Sequence, residues 1–169
     1  MIRRLGPADA AAWRALRLAA LAAAPQAFGA DHDEEAARPE AWFADTLARH
    51  AVFAAAAPPG LLAMAGLAVE GGRRRAHIGT VWGVFVRPEA RGQGLGRAVM
   101  AAVIAEGRAR GLAQLQLGAG VANLPALALY ESLGFRRFGT EPAALRVDGV
   151  DVDEHLLWLP LAPFSDRQP

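Results

Sequence analysis

The chain has 169 residues, 53% of them hydrophobic, and a formal net charge of +1. This length fits one domain with a sizeable core, and the charge gives no field that would draw the chain onto nucleic acid. The lack of cysteine excludes disulfides, thiolate metal sites and a cysteine nucleophile. All 18 basic residues are arginine, which excludes the lysine of a Walker-type phosphate loop. Neither a signal peptide nor an apolar run of membrane-spanning length is evident, so we expect a cytoplasmic domain with no membrane partner.

The first third of the chain predicts a short strand followed by helices. Residues 2–5 form the strand, and Pro7 opens an alanine-rich helix over 7–24 whose apolar stripe includes Trp13, Leu16, Arg17 and Leu21. The acidic segment 25–38 predicts a loop with at most one helical turn. A second, short helix starts at Pro39.

The rest of the chain predicts strands interrupted by two helices. The predicted strands are 51–57, 61–70, 75–87, 112–117, 135–140 and 150–159. The predicted helices run over 97–110, closed by Gly111, and from Asn123 to about 134. This order indicates a mixed α/β (α+β) single domain over 1–160, followed by a flexible tail at 161–169.

Three alternating glycines, Gly92, Gly94 and Gly96, lie directly between a predicted strand and a predicted helix. Without Cβ atoms this backbone can approach a ligand and present successive N–H groups, and the helix adds the positive end of its dipole. Arg91 and Arg97 flank the segment with positive charge. The spacing does not match the dinucleotide-binding G-x-G-x-x-G pattern, so we interpret the segment as a pyrophosphate site of another kind.

Two motifs together resemble the GCN5-related N-acetyltransferase (GNAT) family. The first runs from Val84 to Arg97 as VFVRPEARGQGLGR. The second is Asn123-x-x-Ala126-x-x-Leu129-Tyr130-x-x-x-Gly134-Phe135, which begins 26 residues later. Asn123 and Tyr130 are the chain's only asparagine and its only tyrosine, and both fall on polar positions of the second motif.

The resemblance implies the family fold, a central mixed, mostly antiparallel twisted sheet flanked by helices. It also implies acetyl-CoA as co-substrate, with no metal. The pyrophosphate would then be held by the segment Arg91, Gly92, Gln93, Gly94, Leu95, Gly96 and Arg97. The coenzyme's pantetheine arm would pair with Val84, Phe85 and Val86 like an added strand. Gly83, just before them, fits either a β-bulge or a packing glycine in a core strand.

By the same resemblance, Asn123 contacts the coenzyme and Tyr130 is the general acid that protonates the departing thiolate. The two residues lie two helical turns apart on one face, about 10 Å. The residues themselves leave two alternatives open, since Asn123 is also a natural N-cap and a buried tyrosine also serves packing.

The general base is not evident from the sequence. The strand before the glycine segment lacks the glutamate that many family members carry there, so three weaker candidates remain: His77, Glu34 and Glu154. Each also fits a solvated surface position. On the last strand, Asp153 and His155 share one face and Glu154 takes the other.

We expect direct transfer of an acetyl group from acetyl-CoA to a primary amine in a ternary complex. The alternatives are an acyl-CoA-binding sensor without catalysis and an unrelated nucleotide-binding module. Four aromatic residues fit either an acceptor pocket or the core: Phe28, Trp42, Phe43 and Trp82. The acceptor's identity stays open, and so does the oligomeric state, for which the resemblance adds a homodimer as one expectation.

Overall fold

The computed structural model describes residues 1–58 and 60–162. Its seven strands are β1 (Ile2–Arg4), β2 (Ala51–Ala57), β3 (Gly60–Val69), β4 (Ile78–Val86), β5 (Gln114–Gly120), β6 (Arg136–Val147) and β7 (Val150–Pro160). Its five α-helices are α1 (Ala10–Ala23), α2 (His32–Ala36), α3 (Glu40–Arg49), α4 (Leu95–Ala109) and α5 (Leu124–Ser132). Short 3-10 turns cover Pro7–Asp9, Pro25–Ala27 and Pro88–Ala90. In this described part of the chain, no helix is long and apolar enough to cross a membrane.

All seven strands form one sheet in the order β1-β2-β3-β4-β5-β7-β6. Every neighbouring pair is antiparallel except β4 and β5, which are parallel and joined through α4. The predicted mixed, mostly antiparallel sheet is therefore confirmed. A parallel pair needs a crossover connection, and the α4 segment supplies it.

The helices form a layer on each face of the sheet. One core cluster places α4 and α5 against alternate residues of β2 to β5, with Val99, Val103 and Leu115 among its fully buried members. The second cluster packs α1 and α3 on the other face, around Trp13 and Phe43. Successive side chains of a strand point to opposite faces of the sheet, so the apolar strand residues pack against both helix layers.

Several predicted boundaries differ from the structure for local reasons. The strand predicted from residue 75 begins at Ile78, because backbone bonds from Arg75 and Ala76 to the Gly72 carbonyl close a turn over residues 72–76. The first helix is preceded by a separate 3-10 turn at Pro7–Asp9, and α4 begins at Leu95 rather than Arg97.

Two late strands are longer than predicted. Strand β5 runs to Gly120, because β7 pairs with it throughout its length. Strand β6 runs to Val147 rather than ending at residue 140, because it continues across a β-bulge that the sequence pattern did not predict. Residues 161 and 162 continue past β7 with backbone bonds to the Ala113 carbonyl, and the remainder of the predicted tail, 163–169, lies outside the described residues, as does Pro59 of the predicted turn.

Candidate functional site

A cleft of about 590 Å³ opens where β4 and β5 separate. The two strands pair only from Ile78 to Thr80 on β4 and from Gln114 to Gln116 on β5. Beyond those residues β5 stays paired with β7 and β4 stays paired with β3. The cleft therefore passes through the sheet, with α4 and α5 at one end and the α1 layer at the other.

The β4 wall of the cleft exposes backbone groups that no strand covers. Arg87 donates its backbone N–H to Leu62 on β3 at 2.8 Å, so strand alternation directs the N–H and C=O of Val86 toward the cleft. The Val86 carbonyl accepts a bond from the Arg91 guanidinium at 3.4 Å. The three predicted strand residues, Val84, Phe85 and Val86, all line the cleft.

Gly83 forms a bulge in the same wall. The register between β3 and β4 shifts between Met64 and Gly66, and Gly83 adopts a φ of 64° there. A side chain at this position would be strained in the left-handed region and would meet the Arg17 guanidinium at 3.4 Å. Of the two alternatives that the sequence left open for Gly83, the structure has the bulge.

The glycine segment lies at one end of the cleft and leads directly into α4. Gly92 and Gly94 have φ values of 77° and 75°, and a Cβ on either would project into open space. Gly94 is the N-cap of α4, so the first-turn N–H groups that follow have no intrahelical partner. Gly96 instead allows close packing, since a Cβ there would lie 3.2 Å from Leu129 of α5. This arrangement of backbone N–H groups and helix dipole suits the binding of an anion.

Two arginines add positive charge to that end. Arg91 and Arg97 both line the cleft and are exposed, and Arg97 donates to the Ser132 hydroxyl at 2.7 Å. Of the seven residues predicted to hold a pyrophosphate, Gln93 is the one that does not line the cleft.

Helix α5 carries the two polar residues of the second motif. Asn123 is its N-cap, and the side-chain Oδ1 accepts from the Ala126 N–H at 3.4 Å while the residue also lines the cleft. Tyr130 is 6% exposed, packs against Phe135 and lines the cleft from the α5 side. Within the described residues its hydroxyl has no hydrogen-bond partner. Burial raises the pKa of Tyr130 above its ordinary value, so the hydroxyl keeps its proton at neutral pH.

The three candidate bases are separated by the fold. His77 is exposed in the turn before β4, roughly 20 Å along the strand from Val84, so its predicted place on the strand is wrong. Glu34 is exposed in the first turn of α2 and does not line the cleft.

Glu154 lies close to the cleft. Its carboxylate Oε2 is 2.6 Å from the point where a Cβ on Gly118 would lie, and Gly118 lines the cleft. The pKa of Glu154 is raised first by partial burial and second by the neighbouring Glu141 carboxylate.

A buried ion pair at the other end of the cleft escaped the sequence analysis. Arg17 of α1 donates from Nε and Nη2 to the two carboxylate oxygens of Glu35 on α2, at 3.0 and 2.8 Å. The guanidinium also lies 5.2 Å from the Phe28 ring and 5.8 Å from the Trp82 ring. The signal was present, since an arginine within the apolar stripe of α1 requires a buried acidic partner.

Of the four aromatic residues that fitted either a pocket or the core, two line the cleft and two pack in the core outside its lining. Phe28 and Trp82 line the cleft, next to Arg17. Phe43 is fully buried, and Trp42 packs against it with ring centroids 5.0 Å apart. The end of the cleft lined by Ala24, Ala27, Phe28 and Trp82 is called here the distal end, opposite the glycine segment.

Comparison with known proteins places the chain in a family. The family model described as the acetyltransferase (GNAT) family matches residues 13–135. Mycothiol acetyltransferase of Thermobispora bispora is 54% identical over 61 residues, which are 36% of this chain and 21% of that enzyme. The ribosomal protein bS18-alanine N-acetyltransferase of Escherichia coli K12 is 46% identical over 56 residues, 33% of this chain and 38% of the enzyme. The chain thus spans only about a fifth to two fifths of these relatives' lengths.

The fold agrees with that of a solved structure over nearly its whole length. YncA of Salmonella typhimurium, solved with its cofactor acetyl-CoA, superposes with a TM-score of 0.78 at 24% identity, covering 99% of this chain and 97% of the other. The family match extends over both motifs and over the strands that form the cleft. This chain belongs to the GNAT acetyltransferase family.

Proposed function

We propose that this protein transfers an acetyl group from acetyl-CoA to a primary amine by direct attack in a ternary complex. The observation that carries the proposal is the cleft through the sheet. It joins an anion site at the start of α4 to an uncovered strand edge and a buried tyrosine. This order of groups matches a phosphorylated ligand whose extended arm ends in a thioester.

The glycine segment fits the coenzyme's pyrophosphate on its geometry. Gly92 and Gly94 hold left-handed backbone that other residues adopt only with strain, and the space beside both is open. The N–H groups at the start of α4 point into this space, with Arg91 and Arg97 beside them. No lysine is needed, since backbone and guanidinium supply every donor.

The uncovered edge of β4 fits an amide-containing arm. Peptide-like N–H and C=O groups of the arm would pair with those of Val84 and Val86, as in β-strand addition. The backbone N–H directed into the cleft at Val86 would then polarise the thioester carbonyl and stabilise the oxyanion that forms when the amine attacks.

Tyr130 fits the role of proton donor to the leaving thiolate. The Tyr130 side chain lines the cleft, and its hydroxyl stays protonated because burial of the residue raises its pKa. A thiolate has a pKa near 8.5, so transfer of the proton from tyrosine needs the short contact and low dielectric of this site. The absence of cysteine supports direct transfer, since the chain has no thiol to carry the acetyl group.

The relatives' names refer to two different compounds, mycothiol in one case and an alanine of ribosomal protein bS18 in the other. Both matches cover short segments, so neither acceptor is carried over to this chain. We keep the acceptor class at a primary amine that reaches the thioester from the distal end, beside Phe28 and Trp82.

Binding and turnover test this proposal separately. Acetyl-CoA at 100 times its dissociation constant should stabilise the protein by about 2.7 kcal/mol, which is roughly 5–10 °C in Tm for this length. Thiol release is then followed across a panel of amines, including peptides with free N-termini, and initial-rate plots should intersect rather than run parallel. Stabilisation by acetyl-CoA with no thiol release from any amine would favour a non-catalytic sensor. Stabilisation by NAD or ATP alone would refute the coenzyme site.

A further inference from the structure

We propose that Glu154 of β7 is the general base of this site, and that the absence of a side chain at Gly118 makes room for its carboxylate beside the cleft. This inference rests on the proposed acetyl transfer to an amine. Neither residue belongs to the two motifs on which the family resemblance depends, and β4 itself presents no carboxylate to the cleft.

The position of the carboxylate follows from the pairing of β5 with β7. Gly120 is directly opposite Glu154, and Gly118 is two residues along the same face of β5. The Glu154 side chain crosses diagonally over Gly118, so that Oε2 would lie 2.6 Å from a Cβ there. Any residue larger than glycine would displace the carboxylate. Gly118 and Gly120 both line the cleft, so the carboxylate sits at its margin, on the face that the turn Pro25–Ala27 approaches.

The neighbours of Glu154 on β7 are already engaged. Asp153 accepts the Ala143 backbone N–H at 2.7 Å and thereby holds the β6 bulge, where Ala143 has a φ of 50°. His155 lies on the same face as Asp153 and bonds the Thr140 hydroxyl at 2.9 Å and the Arg137 guanidinium at 3.1 Å. Within the described residues, the Glu154 side chain has no hydrogen bond or ion pair. Of these three residues, Glu154 is therefore the one whose side-chain lone pairs are available to a ligand.

The surroundings of Glu154 favour proton uptake. From β6 the facing group is the Glu141 carboxylate, its direct partner in the register, while β5 presents only glycines. The Gln26 backbone carbonyl of the turn after α1 approaches Gly120 and adds no titratable group. Burial and the like charge of Glu141 both raise the Glu154 pKa, in that order, which moves it toward the range useful for a base at neutral pH.

The proton balance is complete without another reactant. An acceptor that arrives as an ammonium ion gives one proton to the Glu154 carboxylate. The freed nitrogen lone pair then forms the C–N bond to the acetyl carbon as the C–S bond breaks. A second nitrogen proton leaves to solvent, Tyr130 donates its proton to the departing thiolate, and solvent reprotonates Tyr130. Glu154 then releases its proton to solvent, so both residues return to their starting protonation states and one proton is released per turnover. The two negative charges of Glu154 and Glu141 also attract an ammonium acceptor to this end of the cleft.

Two variants test the assignment in different ways. In Glu154→Gln, kcat/KM at pH 7 should fall by about 10²–10⁴-fold, as expected for loss of general base catalysis. The remaining rate should rise about tenfold per pH unit toward the acceptor's own pKa, because only free amine can now react. Gly118→Ala retains the carboxylate but moves it, and a misplacement of this size costs up to about 10²-fold.

Gly139→Ala is the matched control. It adds a methyl to another strand glycine beside β7, 3.8 Å from Leu156 and outside the cleft lining, and it should leave kcat/KM unchanged. Glu141→Gln should move the acidic limb of the wild-type pH profile to lower pH, because a like charge no longer raises the pKa of Glu154. This shift is a readout that mere loss of structure would not produce.

A stability measurement needs no acceptor. A raised folded-state pKa means that Glu154 favours folding only while protonated, so Glu154→Gln should gain Tm over wild type at pH 7, with the gain vanishing near pH 4. Normal thiol release by Glu154→Gln with an unchanged pH profile would overturn the base assignment alone. Failure of wild-type protein to acetylate any amine would remove the proposed function and this assignment together.

Discussion

The buried pair Arg17–Glu35 gives the most demanding prediction about this fold. Its side chains are 8% and 11% exposed, and two hydrogen bonds of 3.0 and 2.8 Å join them. In Arg17→Met the Glu35 carboxylate keeps its burial and loses its partner. Breaking a buried pair in this way costs about 3–5 kcal/mol, and contacts of the guanidinium with Phe28 and Trp82 are lost as well.

Thermal unfolding measures this cost. At roughly 2–4 °C per kcal/mol for a chain of this length, Tm should fall by about 6–20 °C at pH 7. The double variant Arg17→Met/Glu35→Leu should recover most of the stability, since an apolar pair of similar volume replaces both charges.

A surface pair provides the control. Arg146 and Asp151 make a 2.6 Å ion pair whose side chains are 69% and 47% exposed. Arg146→Met should leave Tm almost unchanged, because solvent already screens that pair. If Arg17→Met behaved like Arg146→Met, or if the double variant were no more stable than the single one, the reasoning from burial would be refuted.

The same pair connects stability to the proposed reaction. Arg17 ties α2 to α1, and Arg14 adds a 2.8 Å bond to the Ala36 carbonyl. Between these helices lies the segment with Phe28, which lines the distal end of the cleft. Below its lowered Tm, the Arg17→Met protein should show a raised KM for the amine and a KM for acetyl-CoA close to that of wild type.

Three further predictions concern single residues. Tyr130→Phe should lower kcat by about 10²–10⁴-fold with little change in acetyl-CoA affinity, and an unchanged kcat would remove Tyr130 from the mechanism. Gly94→Ala should cost about 1–2 kcal/mol of folding free energy through its φ of 75° and should weaken acetyl-CoA binding in a titration, whereas Gly71→Ala, in open space without a positive φ, should do neither. Asp9→Asn should lose stability at pH 5, where the Asp9 carboxylate is ionised and bonded to Arg3, and this deficit should shrink as the pH falls to 2 and below, because Arg3 first and the Gly6 N–H also lower its pKa to about 2. An equal Tm deficit at both pH values would contradict that last account.

The sequence predicted the elements with strong local signals. Pro39 and Asn123 mark helix starts close to where the structure has them, because caps and proline act on their own backbone. The glycine segment predicted an anion site for the same reason, since φ values and N–H directions are local properties. For Gly83 the sequence left a bulge and a packing glycine open, and only the strand register decided between them.

The extent of β5 and β6 was not predictable in this way. Gly118 and Gly120 have weak strand propensity, yet β7 holds them in the sheet through cross-strand pairing. The bulge in β6 depends on a bond from Ala143 to Asp153, ten residues away. Such contacts are decided by which strands become neighbours, and the pattern of residues within one strand carries little information about that.

The sequence by itself determined the family, the order of elements and the residues of the glycine segment, since those depend on short-range pattern and backbone conformation. It offered three candidate bases of equal standing. Only the tertiary structure separated them, because distance to the cleft, burial and the charge of a neighbouring strand arise when distant segments pack together. His77 ended in a turn and Glu34 on an exposed helical face, while Glu154 came to lie over a glycine at the margin of the cleft.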